Sequence, residues 1–132
     1  MKWIIVFSKA KNIGIWKWFT MGREDYSHVF AVRYDVELDC WFRLEFASER
    51  MNFEAIRGDE ADLLFAHMMS NCICVEVKVG ADSIYFPRWL YCVSFVKHIV
   101  GCNKWWILTP YQLYCELIKN NGQILFSEKQ ET

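Results

Sequence analysis

The clearest structural signal in this chain is a pair of strand-like segments that flank a short polar turn. Ser27–Asp35 and Cys40–Ala47 are rich in β-branched and aromatic side chains, and the turn lies around Val36–Asp39. This arrangement predicts a β-hairpin. Because the two strands of a hairpin run in opposite directions, the fold is expected to be built around an antiparallel sheet.

The rest of the chain predicts helices mixed with further strands. Apolar residues recur at helical spacing over 60–70, with Asp59 as the N-cap, and two more helices are expected at Pro87–Gly101 and Thr109–Lys119. Further strands are expected at Lys2–Ser8, Asn52–Ile56, Cys72–Val79 and Gln123–Phe126. This order of elements predicts an α+β fold in which an antiparallel sheet packs against helices.

Length and composition restrict the class of protein. A chain of 132 residues with 54% apolar residues predicts one domain, residues 1–132, with its own hydrophobic core. Fifteen basic residues balance sixteen acidic ones, so no overall positive charge is available to hold nucleic acid. No apolar run is long enough for a transmembrane segment or a signal peptide, and six cysteines without such a signal favour a reducing, cytoplasmic location.

The stretch before Glu24 differs from this balance because it contains no acidic residue. Basic and aromatic side chains alternate there: Lys2, Lys9, Lys11, Lys17 and Arg23 with Trp3, Trp16, Trp18 and Phe19. Such a mixture is typical of surfaces that stack on single strands or dock on membranes. A solvated loop with snorkelling lysines is the simpler interpretation.

Cys92 is the cysteine best placed for chemistry. A thiol becomes nucleophilic as the thiolate, which the N-terminus of a helix and a neighbouring imidazolium both favour. Cys92 is expected about a turn and a half inside the helix that starts near Pro87. It also belongs to an apolar stripe with Phe95, Val96 and Ile99, so a packing role stays open.

Of the three histidines, His28 is the best candidate for the base. His98 is expected on the opposite side of the Cys92 helix, and His67 lies on an amphipathic helix. His28 begins a strand, where a strand end can open onto a cleft, although a lone strand histidine is also often structural. In the hairpin, a two-residue turn puts Glu45 directly opposite His28 and a four-residue turn makes it the diagonal neighbour. Glu45 is therefore a candidate orienting carboxylate or an ordinary sheet-surface acid.

A metal site is not predicted. Cys72 and Cys74 project from one strand face and Cys40 is a conceivable neighbour, but the chain has no C-x-x-C pair and its histidines are scattered.

Three short motifs resemble a known family. Trp18-Phe19-Thr20 with Tyr26-Ser27-His28-Val29, the acidic strand Leu44–Ala47, and Tyr91–Lys97 followed by Gly101 and Leu108–Tyr114 are similar to the motifs of permuted papain-like amidases. These enzymes belong to the NlpC/P60 superfamily, which includes YiiX-like and phage-encoded versions. The likeness covers roughly residues 1 to 120, and the glycine expected after the acidic strand is missing.

The resemblance implies a circularly permuted papain-like fold and a site for thiol hydrolysis without metal or cofactor. It implies Cys92 as nucleophile, His28 as base and Glu45 as orienter, and we expect Trp18, Tyr26 and Trp89 to line a substrate groove or to be core residues. The expected substrate is a peptide or another acyl compound, with cell-wall peptides as one class. Two alternative functions stay open: an acyltransferase or thioesterase on lipid-like substrates, and a non-catalytic virion or host-interaction module. If a phage encodes the protein, its expected location is the host cytoplasm or the virion.

Overall fold

The computed structural model describes residues 2–9, 26, 28–47, 50–79, 91–102 and 104–126. Within these ranges lie six strands and three helices: β1 Lys2–Ser8, β2 His28–Asp35, β3 Cys40–Ala47, β4 Arg50–Ile56, α1 Asp59–Asn71, β5 Cys72–Lys78, α2 Cys92–Val100, α3 Pro110–Lys119 and β6 Gln123–Phe126. The predicted α+β class is confirmed. Residues 10–24 of the basic and aromatic stretch before β2, and Pro87, lie outside the described residues.

The six strands form one sheet in the order β4-β3-β2-β1-β5-β6, and every neighbouring pair is antiparallel. β1 lies inside the sheet between β2 and β5. Its residues Ile5, Val6 and Phe7 are all completely buried, which shows that both faces of the strand are covered.

The helices divide between the two faces of the sheet. Phe7 packs in one core cluster with Val93 of α2 and Leu113 of α3, whereas its neighbour Val6 packs in a second cluster with Met68 of α1. Because successive strand residues point to opposite faces, α1 covers one face while α2 and α3 cover the other. The predicted packing of an antiparallel sheet against helices is therefore present.

The hairpin of β2 and β3 has the longer of its two possible turns. Asp35 pairs with Cys40, which leaves four residues in the turn, and the Asp35 carboxylate accepts a hydrogen bond of 3.0 Å from the Leu38 amide. In this register Glu45 is the diagonal neighbour of His28 and shares its side of the sheet.

The helix that carries Cys92 begins later than expected. Tyr91 is its N-cap, with extended backbone angles of φ −151° and ψ 175°, and the Ser94 hydroxyl accepts a hydrogen bond of 2.9 Å from the Tyr91 amide. Cys92 is thus the first residue of α2, and the expected position a turn and a half inside a helix starting near Pro87 is wrong. The expected end is confirmed, because Gly101 terminates α2 with a φ of 74°.

The other two helix starts follow from their capping residues. Thr109 caps α3 through a reciprocal pair of hydrogen bonds with Gln112, and Pro110 occupies the first turn as expected. In α1 the predicted N-cap is wrong by one residue: Gly58 is the N-cap, with a φ of 58°, and Asp59 is the first helical residue. No described helix is both long enough and apolar enough to cross a bilayer.

A buried lysine joins α2 to the connection that leads into α3. The Lys97 ammonium donates hydrogen bonds to the carbonyl oxygens of Lys104, at 2.7 Å, and of Ile107, at 3.0 Å. Lys97 is only 4% exposed, and burial lowers its pKa. This contact fixes the 104–107 turn beside the helix that carries Cys92.

Candidate active site

The candidate site lies where the ends of three strands meet the start of α2. His28, the first residue of β2, pairs with Ser8, and Ser8 pairs with Cys72 at the start of β5. These residues form the last described row at this end of the sheet. By strand alternation His28 lies on the same face as Phe30, which α1 covers, whereas Cys92 belongs to the core cluster on the face of α2 and α3, so any contact between the two side chains passes the end of the sheet.

The structure brings two of the predicted site residues into direct contact. His28 Nε2 lies 2.8 Å from Glu45 Oε2, a hydrogen bond between diagonal neighbours on β2 and β3. The side chains of His28 and Glu45 are 18% and 15% exposed. The pair is thus partly shielded from water, which strengthens its electrostatic interaction.

Cys92 supplies the third predicted side chain from the start of α2. As the first residue of the helix, it lies at the end where backbone N–H groups lack intrahelical acceptors and carry partial positive charge. It is 8% exposed and belongs to the core cluster on the α2 side of the sheet. The thiol is therefore nearly enclosed by the surrounding residues.

The pKa of His28 links all three side chains. Burial on its own lowers this pKa, but hydrogen bonding to the Cys92 side chain and to the Glu45 carboxylate outweighs burial and raises it from 6.5 to about 9. At neutral pH the His28 ring is therefore a protonated imidazolium, and Glu45 is one of its hydrogen-bond partners.

Glu45 is ionised in this arrangement. The hydrogen bond from His28 lowers its pKa against the opposing effect of burial, and the charge of Arg43 lowers it further. The Arg43 guanidinium is a functional candidate that the sequence interpretation missed. Its signal was available, since residues two apart on a strand point to the same face and Arg43 precedes Glu45 by two positions.

The three expected groove residues have different outcomes. Trp18 and Trp89 lie outside the described residues. Tyr26 is 7% exposed and packs in the same core cluster as Cys92, with its ring 4.9 Å from that of Tyr111 and 5.9 Å from that of Phe7. Tyr26 was expected to be either a groove residue or a core residue, and its burial in this cluster is that of a core residue.

The remaining histidines are not part of this constellation. His67 is exposed on α1, with Nδ1 3.4 Å from the Asn71 side-chain nitrogen, and His98 lies in the last turn of α2. All six cysteines are free thiols, and Cys40, Cys72 and Cys74 are buried. In the described part of the chain, no group of three or more His, Cys, Asp or Glu side chains is arranged to hold a metal ion.

A cavity of about 260 Å³ lies at the other end of α2, beside Gly101 and Cys102. Its wall contains an ion pair between Lys104 and Glu116, in which Glu116 also accepts a hydrogen bond of 2.8 Å from Asn120. Two of the three charged side chains of this wall, Lys104 and Glu116, are thus paired with one another, and the third is Lys78. The cavity is separated from Cys92 by the length of the helix.

Comparison with protein-family models, curated proteins and solved structures finds no match to this chain. The functional argument therefore depends on the geometry of the site itself.

Proposed function

We propose that this protein is a cysteine hydrolase that cleaves an amide or related acyl bond, with Cys92 as nucleophile, His28 as base and Glu45 as the orienting carboxylate. The observation that carries the proposal is the position of His28, which is hydrogen-bonded to Glu45 on one side and interacts with Cys92 on the other. An imidazole placed between a fixed carboxylate and a thiol at a helix N-terminus is the arrangement that activates sulfur.

The mechanism follows from these positions. His28 takes the proton of the Cys92 thiol, and the thiolate attacks the carbonyl carbon of the substrate to form a tetrahedral intermediate. In this proposal the Cys92 amide, in the first turn of α2, donates a hydrogen bond to the oxyanion. His28 then gives its proton to the leaving group, and water, deprotonated by His28, attacks the acyl-enzyme to release the acid and restore the thiol.

Chain order and architecture support a permuted papain-like fold as part of this proposal. The base and the carboxylate come from an antiparallel hairpin, and the thiol follows later in the chain at the start of a helix packed on the sheet. This is the order His, acidic residue, Cys that the sequence resemblance implies. Cell-wall peptides are the substrate class that the resemblance suggests.

Alkylation tests the proposal without a known substrate. At pH 6, we expect iodoacetamide to modify Cys92 at least about ten-fold faster than Cys115, because in this proposal Cys92 reacts beside the His28 imidazolium at the N-terminus of α2. Cys115 is the matched comparison, since it is exposed whereas Cys92 is buried. Peptide mapping by mass spectrometry measures both rates, and faster reaction at Cys115 would contradict the proposal.

A second candidate function is acyl transfer or thioester hydrolysis on lipid-like substrates. The observation that favours it is an apolar turn in which Trp105, Trp106 and Leu108 are 75%, 51% and 47% exposed. The Tyr91 hydroxyl donates a 2.9 Å hydrogen bond to the Leu108 carbonyl, which links this turn to the N-cap of the Cys92 helix. Tryptophan side chains favour the membrane–water interface.

Vesicle flotation tests this second function. We expect the protein to float with phosphatidylcholine vesicles, and the double variant Trp105→Ser/Trp106→Ser to lose most of the floating fraction. Leu38→Ser is the matched control, because Leu38 is 55% exposed on the hairpin turn. Failure of the unmodified protein to float with either neutral or anionic vesicles would remove the support for lipid-like substrates and leave the hydrolase proposal intact.

A further inference from the structure

Arg43 and His28 both form hydrogen bonds with the Glu45 carboxylate. One terminal nitrogen of its guanidinium donates to both oxygens of Glu45, at 3.2 Å to Oε1 and 3.3 Å to Oε2. His28 takes Oε2 at 2.8 Å, so the carboxylate lies between two donors that approach it from two different strands. Rotation of the carboxylate would break at least one of these contacts.

The position of Arg43 is unusual for an arginine on a sheet. Its guanidinium carbon lies 4.7 Å from the centre of the Phe30 ring, and its buried Nε has no hydrogen-bond partner among the described residues. A buried N–H that makes no hydrogen bond is unfavourable, and an extended arginine side chain at a surface would avoid it. The contacts with Glu45 and the Phe30 ring offset this cost and keep the guanidinium beside the site.

Among the described residues, two positively charged side chains contact the Glu45 carboxylate. From β2 it meets His28, and from its own strand it meets Arg43. From β4 its pairing partner is Asn52, which carries no charge, while Glu54 pairs with Arg43. The described charges at the site therefore alternate in sign, with the Glu45 carboxylate between the positive Arg43 and the positive His28.

We infer that Arg43 is a positioning residue of the proposed hydrolase: it fixes the Glu45 carboxylate in its ionised form and so directs the proton of His28 toward Cys92 and the leaving group. The inference rests on the proposed function. A carboxylate that is paired with a guanidinium is a poorer proton acceptor, so the shared proton stays on the imidazole. Without Arg43, the carboxylate would rotate more freely and accept protons at a higher pH.

Substitution of Arg43 separates this role from a purely structural one. Arg43→Met removes the charge but retains a long side chain over Phe30, Arg43→Lys retains the charge, and Arg33→Met is the matched control on the neighbouring strand. We expect the Glu45 titration, followed by carbon NMR of the carboxyl group, to move to higher pH in Arg43→Met. We also expect the downfield proton resonance of His28 Nε2–H to broaden or disappear, and Arg43→Lys to restore both signals in part.

The same variants are assayed by alkylation at Cys92 across pH 4 to 8. In Arg43→Met the rate is expected to fall about two-fold more at pH 4.5 than at pH 7.5, because the Glu45 carboxyl keeps the hydrogen bond of His28 but loses the charge of Arg43, and so accepts a proton at a higher pH. Arg33→Met is expected to match the unmodified protein. An Arg43→Met protein that folds, with Glu45 titration, the His28 resonance and the alkylation profile all unchanged, would overturn the inference.

Failure of this inference and failure of the proposed function give different results. If the unmodified protein shows no preference for alkylation at Cys92 over Cys115, the proposed hydrolase is wrong whatever Arg43 does. If the preference is present and the three Arg43 readouts do not move, only the role of Arg43 is wrong.

Discussion

Cys92→Ser is expected to abolish acyl transfer from a small chromogenic thioester, lowering the turnover by about 10³-fold or more. A serine hydroxyl is far less acidic than a thiol, so the imidazole of His28 cannot hold it as an anion at neutral pH. In the unmodified protein, intact mass spectrometry is expected to detect a covalent acyl group that peptide mapping assigns to Cys92. The serine variant is expected to lack it.

Two comparisons make this result specific. Cys115→Ser removes an exposed thiol distant in sequence from the site and is expected to leave turnover unchanged. The melting temperature of Cys92→Ser is expected to stay close to that of the unmodified protein, because serine is nearly isosteric with cysteine. Equal turnover before and after the Cys92 substitution would favour the non-catalytic module with the same fold.

His28→Asn is expected to reduce the rate of Cys92 alkylation at pH 6 by about 100-fold. Without the imidazole, Cys92 loses its proposed proton acceptor and the neighbouring positive charge that favours a thiolate. Asparagine retains a donor for Glu45, so the variant removes the base while it keeps part of the hydrogen bonding. Rates are measured by quantitative peptide mapping, with His67→Asn as the matched control because His67 is exposed on α1.

In the proposed hydrolase, the same histidine is expected to set the alkaline limit of activity. Because the pKa of His28 is raised to about 9, its imidazolium persists at neutral pH and is lost as pH rises through about 9. Turnover of a substrate whose leaving group needs a proton is therefore expected to fall over that range, and NMR titration of the ring is expected to show the same midpoint. A His28 midpoint near the ordinary value of 6.5 would show that the contacts with Glu45 and Cys92 do not form in solution.

Much of the fold is readable from the sequence because its signals are local. Lys2–Ser8 and Cys40–Ala47 have the same bounds in the sequence prediction and in the structure, since apolar runs bounded by polar residues define a buried strand. Thr109 and Pro110 place the start of α3 in the same way. The proximity of His28 and Glu45 also follows locally, because both possible hairpin turns keep these residues on one face.

Features that depend on side-chain competition or tertiary contacts were less predictable. The choice between a two-residue and a four-residue turn depends on the Asp35 carboxylate capturing the Leu38 amide, a contact that the spacing of strand residues does not encode. The start of α2 at Cys92 depends on the extended backbone of Tyr91 and its bond to Ser94. Proline is tolerated in the first turn of a helix but does not require a helix to begin there, so Pro87 did not predict the start of α2.

The order in which the site residues occur along the chain has a consequence for protein synthesis. The hairpin that joins His28 to Glu45 is closed by a short turn, whereas Cys92 follows only after β4, α1 and β5. Contacts between nearby segments form at a lower entropic cost than contacts between distant ones. A nascent chain can therefore bring His28 beside Glu45 before Cys92 has been added, and the proposed site is complete only once the helix that carries Cys92 has packed on the sheet.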